Sequence, residues 1–166
     1  MPDAVLLALG HPARGDDGFG ERLLQLFEQR YGAPEAVLCL YGGTRPLAHY
    51  DRVAGCRWLI LLDAVHSDRT GSGILIADPL PRIPEIRRMA VHELGAGELL
   101  QLLAALDEAP ARISLVGAAP VSFDMGSTLS TALEQLLPQA CDALARLLGD
   151  NGIRLTRRQA EDVGHA

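Results

Sequence analysis

Cysteine is scarce in this sequence, and its placement indicates neither a disulfide framework nor a cysteine metal site. The three residues, Cys39, Cys56 and Cys141, are widely spaced, odd in number and form no CxxC pair. Cys39 and Cys141 lie among apolar neighbours, where cysteine usually behaves as a small core residue. We therefore expect three structural thiols; nothing local supports the alternative of a thiol nucleophile.

Long apolar runs and clusters of basic residues are also lacking. The first apolar run, residues 5–9, is far shorter than the roughly 20 residues of a membrane span, and no basic leader precedes it. The formal charge is −6 and the pI about 5.3, and the basic pairs at 87–88 and 157–158 are typical of solvated surface. We expect a cytoplasmic monomer that binds neither membrane nor nucleic acid.

Several motifs of common enzyme classes are absent. The sequence has no GxSxG elbow, no GxxxxGK[ST] phosphate loop and no HExxH pair. Glycines do follow the first apolar run, as in a dinucleotide-binding fold, but they lack the GxGxxG spacing, and Pro12 removes an amide that a phosphate cradle would use. A nucleotide-binding Rossmann-like protein is therefore a disfavoured alternative.

The composition that remains is that of a globular domain. Of the 166 residues, 48% are hydrophobic and 22% charged, and there is no internal repeat or linker that would divide the chain. We predict a single α/β domain over residues 1–166, with residues 149–166 as a loosely ordered tail.

Uninterrupted apolar runs alternate with amphipathic segments along the chain. The runs predict buried strands at residues 4–9, 36–40, 58–62, 74–76 and 113–116. The amphipathic segments predict helices at residues 19–30, 46–53, 98–106 and 129–148. This alternation favours a three-layer α/β/α sandwich around a mostly parallel twisted sheet.

Three of the helices have a predicted buried stripe. The stripes are Phe19, Leu23, Leu26 and Phe27; Leu99, Leu102, Leu103 and Leu106; and Leu129, Leu133, Leu136, Ala140, Ala143 and Leu147. Pro138 should kink the last helix. The Pro- and Arg-rich stretch 79–89 is predicted to be a surface loop.

Acidic and imidazole side chains follow the predicted strands at the edge where ligands gather in an open α/β sheet. Asp16 and Asp17 come after the first strand, Asp63 ends the third, and His92 lies in a loop before a helix. Two carboxylates and an imidazole suit nickel, zinc or copper, and three protein ligands leave coordination positions open.

Simpler interpretations of the same residues stay open at this point. Asp16 or Asp17 could cap the following helix, Asp63 could satisfy nearby backbone amides, and His92 could be a surface residue.

A series of motifs resembles one family, the hydrogenase maturation proteases. The run LALGHPARGDDGFG (7–20) is similar to their opening signature, a buried strand followed by G-N-x-x-x-x-D-D/E-x-x-G and an amphipathic helix. Five further matches follow in the same order along the chain. YGGT (41–44) is like D-G-G-T, LLDA (61–64) is like a strand-ending aspartate followed by alanine, and residues 73–79 are like a short strand after a glycine. HELG (92–95) is like H-x-L-G, and LVGAAP (115–120) is like a strand ending in G-x-x-P. The resemblance runs from about residue 6 to residue 148.

The resemblance implies a function and a set of ligands. It assigns Asp17, Asp63 and His92 to a nickel site. It implies an aspartyl-type endopeptidase that removes a C-terminal extension from a nickel-loaded [NiFe]-hydrogenase large-subunit precursor and so activates the hydrogenase. The nickel is expected to arrive with the precursor, and Asp17 or Asp16 is the expected catalytic base.

Gly42, Gly43 and Thr44 are expected to line the substrate cleft, since glycines admit a peptide backbone closely; a tight turn ending the second strand is the equal alternative.

The sequence departs from the family pattern at two positions. His11 stands in place of Asn, and Tyr41 in place of Asp. His11 is either an extra metal donor or makes the turn hydrogen bonds that Asn would make, and we favour the turn. A non-enzymatic α/β module that senses nickel in the large subunit is the alternative function.

Overall fold

A computed structural model describes residues 1–65, 73–80, 94–126 and 128–159. Its centre is a sheet of strands in the order β2-β1-β3-β5-β4, in which β4 alone runs antiparallel to its neighbour. The strands are β1 (Ala4–Leu9), β2 (Val37–Gly43), β3 (Trp58–Ala64), β4 (Ile74–Ala77) and β5 (Arg112–Ala118).

Four α-helices of the described part of the chain pack on the sheet. They are α1 (Phe19–Tyr31), α2 (Tyr50–Val53), α3 (Leu94–Ala105) and α4 (Thr131–Asp150). A 3-10 turn, Gly15–Gly18, precedes α1, and another, Pro46–His49, leads into α2. Helix α1 ends at Gly32, whose φ of +71° is a conformation that favours glycine.

The central strands are buried on both faces, which explains their uninterrupted apolar sequences. Along β1, Leu6 and its neighbours two residues away pack in one core with α1 and α4. Leu7 and the other alternate residues pack in a second core with α2 and α3. The predicted three-layer α/β/α sandwich is confirmed.

The predicted buried faces of three helices need correction. In α3, Leu102 is 40% exposed, and Leu106, just after the helix, is 54% exposed, whereas Leu100 is buried beside Leu99 and Leu103. In α4 the buried set is Leu133, Leu137, Ala140, Cys141, Leu144 and Leu148, and in α1 it includes Leu24, with Leu26 only half-buried. Each sequence contains adjacent leucines that support two overlapping stripes, so the position of the sheet decides which stripe is buried.

The ends of several elements also differ from the prediction. Strands β2, β3 and β5 continue past their predicted last residues, so that Asp63 lies inside β3 rather than after it. Helix α4 continues through Pro138. The predicted loop 79–89 falls largely on residues outside the described ranges.

The described part of the expected loose tail is mostly exposed, with contacts to the rest of the domain at a few residues. Ile153 is buried, and the Arg158 N–H donates to the Arg30 carbonyl at 2.6 Å. Ile153 and Arg158 therefore contact the rest of the domain, and the loose order expected of residues 149–166 stays a prediction. No helix among the described residues is long and apolar enough to cross a membrane.

Candidate active site at the carboxyl edge of the sheet

Two of the predicted acids meet at the carboxyl edge of the parallel strands. Asp63 is the last but one residue of β3 and is 4% exposed. Asp17 lies in the 3-10 turn that follows the neighbouring strand β1 and is 2% exposed. Since β1 and β3 are adjacent and parallel, the two carboxyl groups belong to one buried region.

The surroundings of Asp63 disfavour its negative charge. Burial raises the pKa of Asp63 well above its ordinary value, and the nearby Asp17 carboxylate raises it further. A hydrogen bond of 2.8 Å from the Ala64 N–H acts in the opposite direction, because it stabilises the carboxylate. A cation placed beside these two acids would relieve both unfavourable effects.

The turn after β1 holds Asp17 closely. The His11 N–H donates to Asp17 Oδ2 at 2.7 Å. Gly10 has a φ of +100°, and a Cβ added to it would lie 2.0 Å from the Asp17 carbonyl oxygen. Only glycine fits at position 10, because any side chain would displace Asp17.

His11 makes the turn hydrogen bond that we expected of it. Its Nδ1 accepts the N–H of Ala13 at 3.0 Å, in the manner of an asparagine that binds the backbone two residues on. The expected turn role of His11 is confirmed.

Asp16 is fully buried, and its hydrogen-bond partners differ from those of Asp17. Its Oδ2 accepts the N–H groups of Val121 at 2.7 Å and Ser122 at 3.1 Å, and its Oδ1 accepts the Ser130 N–H at 2.6 Å. It does not cap α1, whose N-cap residue is Gly18 and has no side-chain hydrogen bond. The helix-cap interpretation of Asp16 is therefore wrong.

The glycines at the end of β2 lie at the same edge of the sheet. A Cβ on Gly42 would meet Leu7 Cδ1 at 2.8 Å, and Gly43 has a φ of +52° where the pairing of β1 and β2 shifts register. The Gly43 carbonyl accepts the Gly10 N–H at 3.0 Å, which joins β2 to the turn before Asp17. Thr44 is exposed. These residues end the strand as a bulge and turn, and peptide binding by them stays a prediction.

The third predicted ligand, His92, lies outside the described residues. Within the described ranges no group of three potential metal ligands occurs. The geometry therefore brings Asp17 and Asp63 together, and the assignment of His92 rests on the sequence resemblance.

The cysteines have the properties expected of structural thiols. Cys56 and Cys141 are buried and Cys39 is half-buried, and all three are free. Burial, assisted by the charge of Glu28, raises the pKa of Cys39 to about 12, and burial raises the pKa of Cys56 to about 11. Neutral thiols are poor nucleophiles, so these residues do not suit catalysis.

Sequence reasoning missed two contributions to this region. Gly20 lets α1 approach the sheet, since a Cβ there would lie 2.1 Å from the Leu62 carbonyl oxygen and 2.8 Å from that of Leu9. Its place in the D-D-x-x-G signature was a usable signal. No sequence signal marked the amides of Val121, Ser122 and Ser130 as partners of Asp16, because every residue except proline carries an N–H.

The chain is similar to known proteins over most of its length. The model of a family described as hydrogenase maturation protease matches residues 22–147. The hydrogenase expression/formation protein HupM of Azotobacter chroococcum mcd 1 is 30% identical, over 96% of this chain and 78% of the relative. The hydrogenase 2 maturation protease of Escherichia coli K12 is 27% identical, over 94% of this chain and 96% of the relative.

The fold is also that of a solved peptidase. The hydrogenase maturating endopeptidase HybD from E. coli superposes with a TM-score of 0.84 at 26% identity, covering 95% of this chain and 98% of that one. Sequence and structure agree on both the fold and the class of enzyme. The chain belongs to the hydrogenase maturation protease family and is a peptidase.

Proposed function

We propose that this peptidase removes a C-terminal extension from the precursor of a [NiFe]-hydrogenase large subunit after nickel has been inserted. In this proposal the precursor carries the nickel, and Asp17, Asp63 and His92 bind its open coordination positions. The reaction takes place in the cytoplasm, with the protease acting as a monomer.

One observation carries the proposal: two buried carboxyl groups from separate segments lie together at the functional edge of the sheet. Carboxylates are hard oxygen ligands that suit a divalent cation. A cation brought by the substrate would therefore find two protein ligands in one place. Nickel in the precursor would then determine whether the tail docks.

The nickel of the precursor and the protein carboxylates would divide the chemistry. Nickel can polarise a carbonyl group or lower the pKa of a bound water. A carboxylate then accepts the proton of the attacking water. Asp17 suits that role better than Asp16, because both Asp16 oxygens already accept backbone N–H groups.

The test measures processing of the nickel-loaded precursor through its gel mobility and the mass of the released tail. Asp17→Ala, Asp63→Ala and His92→Ala should each reduce processing at least 100-fold, because each removes a nickel ligand or a base. Circular dichroism should show that each variant retains its fold.

Glu35→Ala is the matched control. Glu35 is an exposed acid before β2, at the opposite edge of the sheet, and its loss should leave processing unchanged. Complete tail removal by all three site variants would end the metal-recognition proposal. An unshortened precursor with the wild-type protein would show that this peptidase acts on a different substrate.

Nucleotide binding has little support at this site. The His11 N–H, at the turn after β1 where a phosphate would bind, donates to the Asp17 carboxylate instead. A thermal shift on addition of nucleotides would revive that alternative.

A further inference from the structure

The Asp16 carboxylate is the centre of a clamp between segments that are distant in sequence. It accepts the N–H groups of Val121, Ser122 and Ser130, at 2.7, 3.1 and 2.6 Å. The Asp16 N–H in turn donates to the Ser122 carbonyl at 2.9 Å. The side chain and the backbone of Asp16 are thus fixed by the same neighbouring segment.

The clamp joins the turn that carries Asp17 to the end of β5 and the start of α4. Ser130 is the N-cap of α4, where its Oγ accepts the Leu133 N–H while its own N–H binds Asp16. A further bond, from the Gly126 N–H to the Ala13 carbonyl at 2.7 Å, ties the same two segments together. A carboxylate near the N-terminus of a helix is also electrostatically favourable.

We propose that Asp16 is a positioning residue that holds Asp17 at the docking site and takes no part in proton transfer. This inference rests on the proposed function. A base needs a lone pair directed at the attacking water, whereas the oxygens of Asp16 are directed at three amides in a fully buried position. Because Asp16 and Asp17 are consecutive, anchoring one fixes the backbone of the other.

Two variants interrupt the clamp from opposite sides. Asp16→Asn places an NH₂ group against at least one amide donor, so at least one hydrogen bond is lost. Val121→Pro removes a donor and leaves the acid intact. Val121→Ala is the matched control, because it keeps the N–H and changes a side chain that is 70% exposed.

Asp16→Asn and Val121→Pro should lower the processing activity to a similar extent. With nickel-loaded precursor, Asp16→Asn and Val121→Pro should each lower kcat/KM about tenfold, through a higher KM as well as a lower kcat, because a misplaced Asp17 weakens both docking and proton acceptance. The double variant should lose less than the product of the two single losses, since both changes weaken the same clamp. Val121→Ala should stay within about twofold of wild type.

Catalysis by Asp16 gives a different pattern, which would overturn the inference. Asp16→Asn would then lose at least 100-fold in kcat at unchanged KM, and Val121→Pro would retain wild-type rates. Wild-type rates in both variants would overturn it equally. If wild type itself leaves the precursor uncut, the proposed function fails instead.

Amide hydrogen exchange tests the clamp without cleavage and without the proline variant. The Val121 and Ser130 amides should exchange slowly in wild type and at least tenfold faster in Asp16→Asn. Unchanged exchange at both amides would contradict the clamp.

Discussion

Three buried acids lie at one edge of this sheet, and each is held by different surroundings. Asp16 is bound by backbone amides, Asp17 is held by the turn after β1, and Asp63 lies within β3 beside Asp17. The sequence was sufficient to place Asp17 and Asp63 at this edge, because acids that follow uninterrupted apolar runs come at strand ends. It could not separate the role of Asp16 from that of Asp17, because the partners of Asp16 are amides more than 100 residues away.

Asp63→Asn should stabilise the fold at neutral pH while it abolishes processing. Since the pKa of Asp63 is raised in the folded state, the folded protein holds this proton more tightly than the unfolded chain. Stability is therefore lost as the pH rises from the ordinary range of an aspartate towards the raised pKa. Asn removes this loss and can still accept the Ala64 N–H.

Thermal unfolding between pH 4 and pH 8 measures the effect of Asp63→Asn. Its melting temperature should exceed that of wild type by a few degrees at pH 7, and the difference should shrink as the pH falls towards the ordinary pKa of an aspartate, about 4, where Asp63 begins to be protonated in the unfolded state too. Glu35→Gln, at an exposed site, should show no such trend. A variant that is no more stable than wild type at pH 7 would show that Asp63 carries no such electrostatic penalty.

At the scale of elements, the existence of strands and helices was predictable and their buried faces less so. Strands β1 and β3 were evident because burial on both faces requires an uninterrupted apolar sequence. The face of α3 was mistaken because its leucines form overlapping stripes, and only contact with the sheet selects Leu100 over Leu102. Strand β2 was predicted to end before its glycines, whereas it continues to Gly43 with a shift in register there.

Helix α1 depends on close contact at its first turn, which gives a prediction for Gly20. Gly20→Ala should destabilise the fold by about 3 kcal/mol, because the added Cβ meets the backbone of Leu62 and Leu9 and the helix must move outwards. Leu62 precedes Asp63, and Leu9 precedes the turn that carries Asp17, so processing should also fall.

Gly149→Ala is the comparison for Gly20→Ala in denaturant unfolding. A Cβ at Gly149, in the last turn of α4, would have nothing within 4 Å. Alanine there should stabilise by roughly 0.5–1 kcal/mol through helix propensity. Equal effects at the two glycines would contradict close packing of α1 on the sheet.

At the scale of the whole molecule, the layers followed from the alternation of elements, and the strand order did not. Hydrophobic patterning shows that a strand is buried, but not which strand lies beside it. The antiparallel edge strand β4 could not be inferred for this reason. His92 illustrates the same limit for the site, since its assignment rests on a motif.

The paired acids Asp17 and Asp63 predict that the nickel content of the precursor controls cleavage. A precursor without nickel should be left uncut, because it brings no cation to Asp17 and Asp63. Mass spectrometry of precursor prepared with and without nickel would measure this. Protease incubated with free nickel, then freed of excess metal, should also fail to cut nickel-free precursor. Cleavage there would show that the protease holds its own metal.

The separation between Asp16 and its partners has a consequence for synthesis on the ribosome. Ser130 lies 114 residues after Asp16 along the chain. At about 10 residues per second, the two are translated roughly ten seconds apart. A nascent chain that ends before Ser130 therefore lacks a contact that holds Asp16 in place.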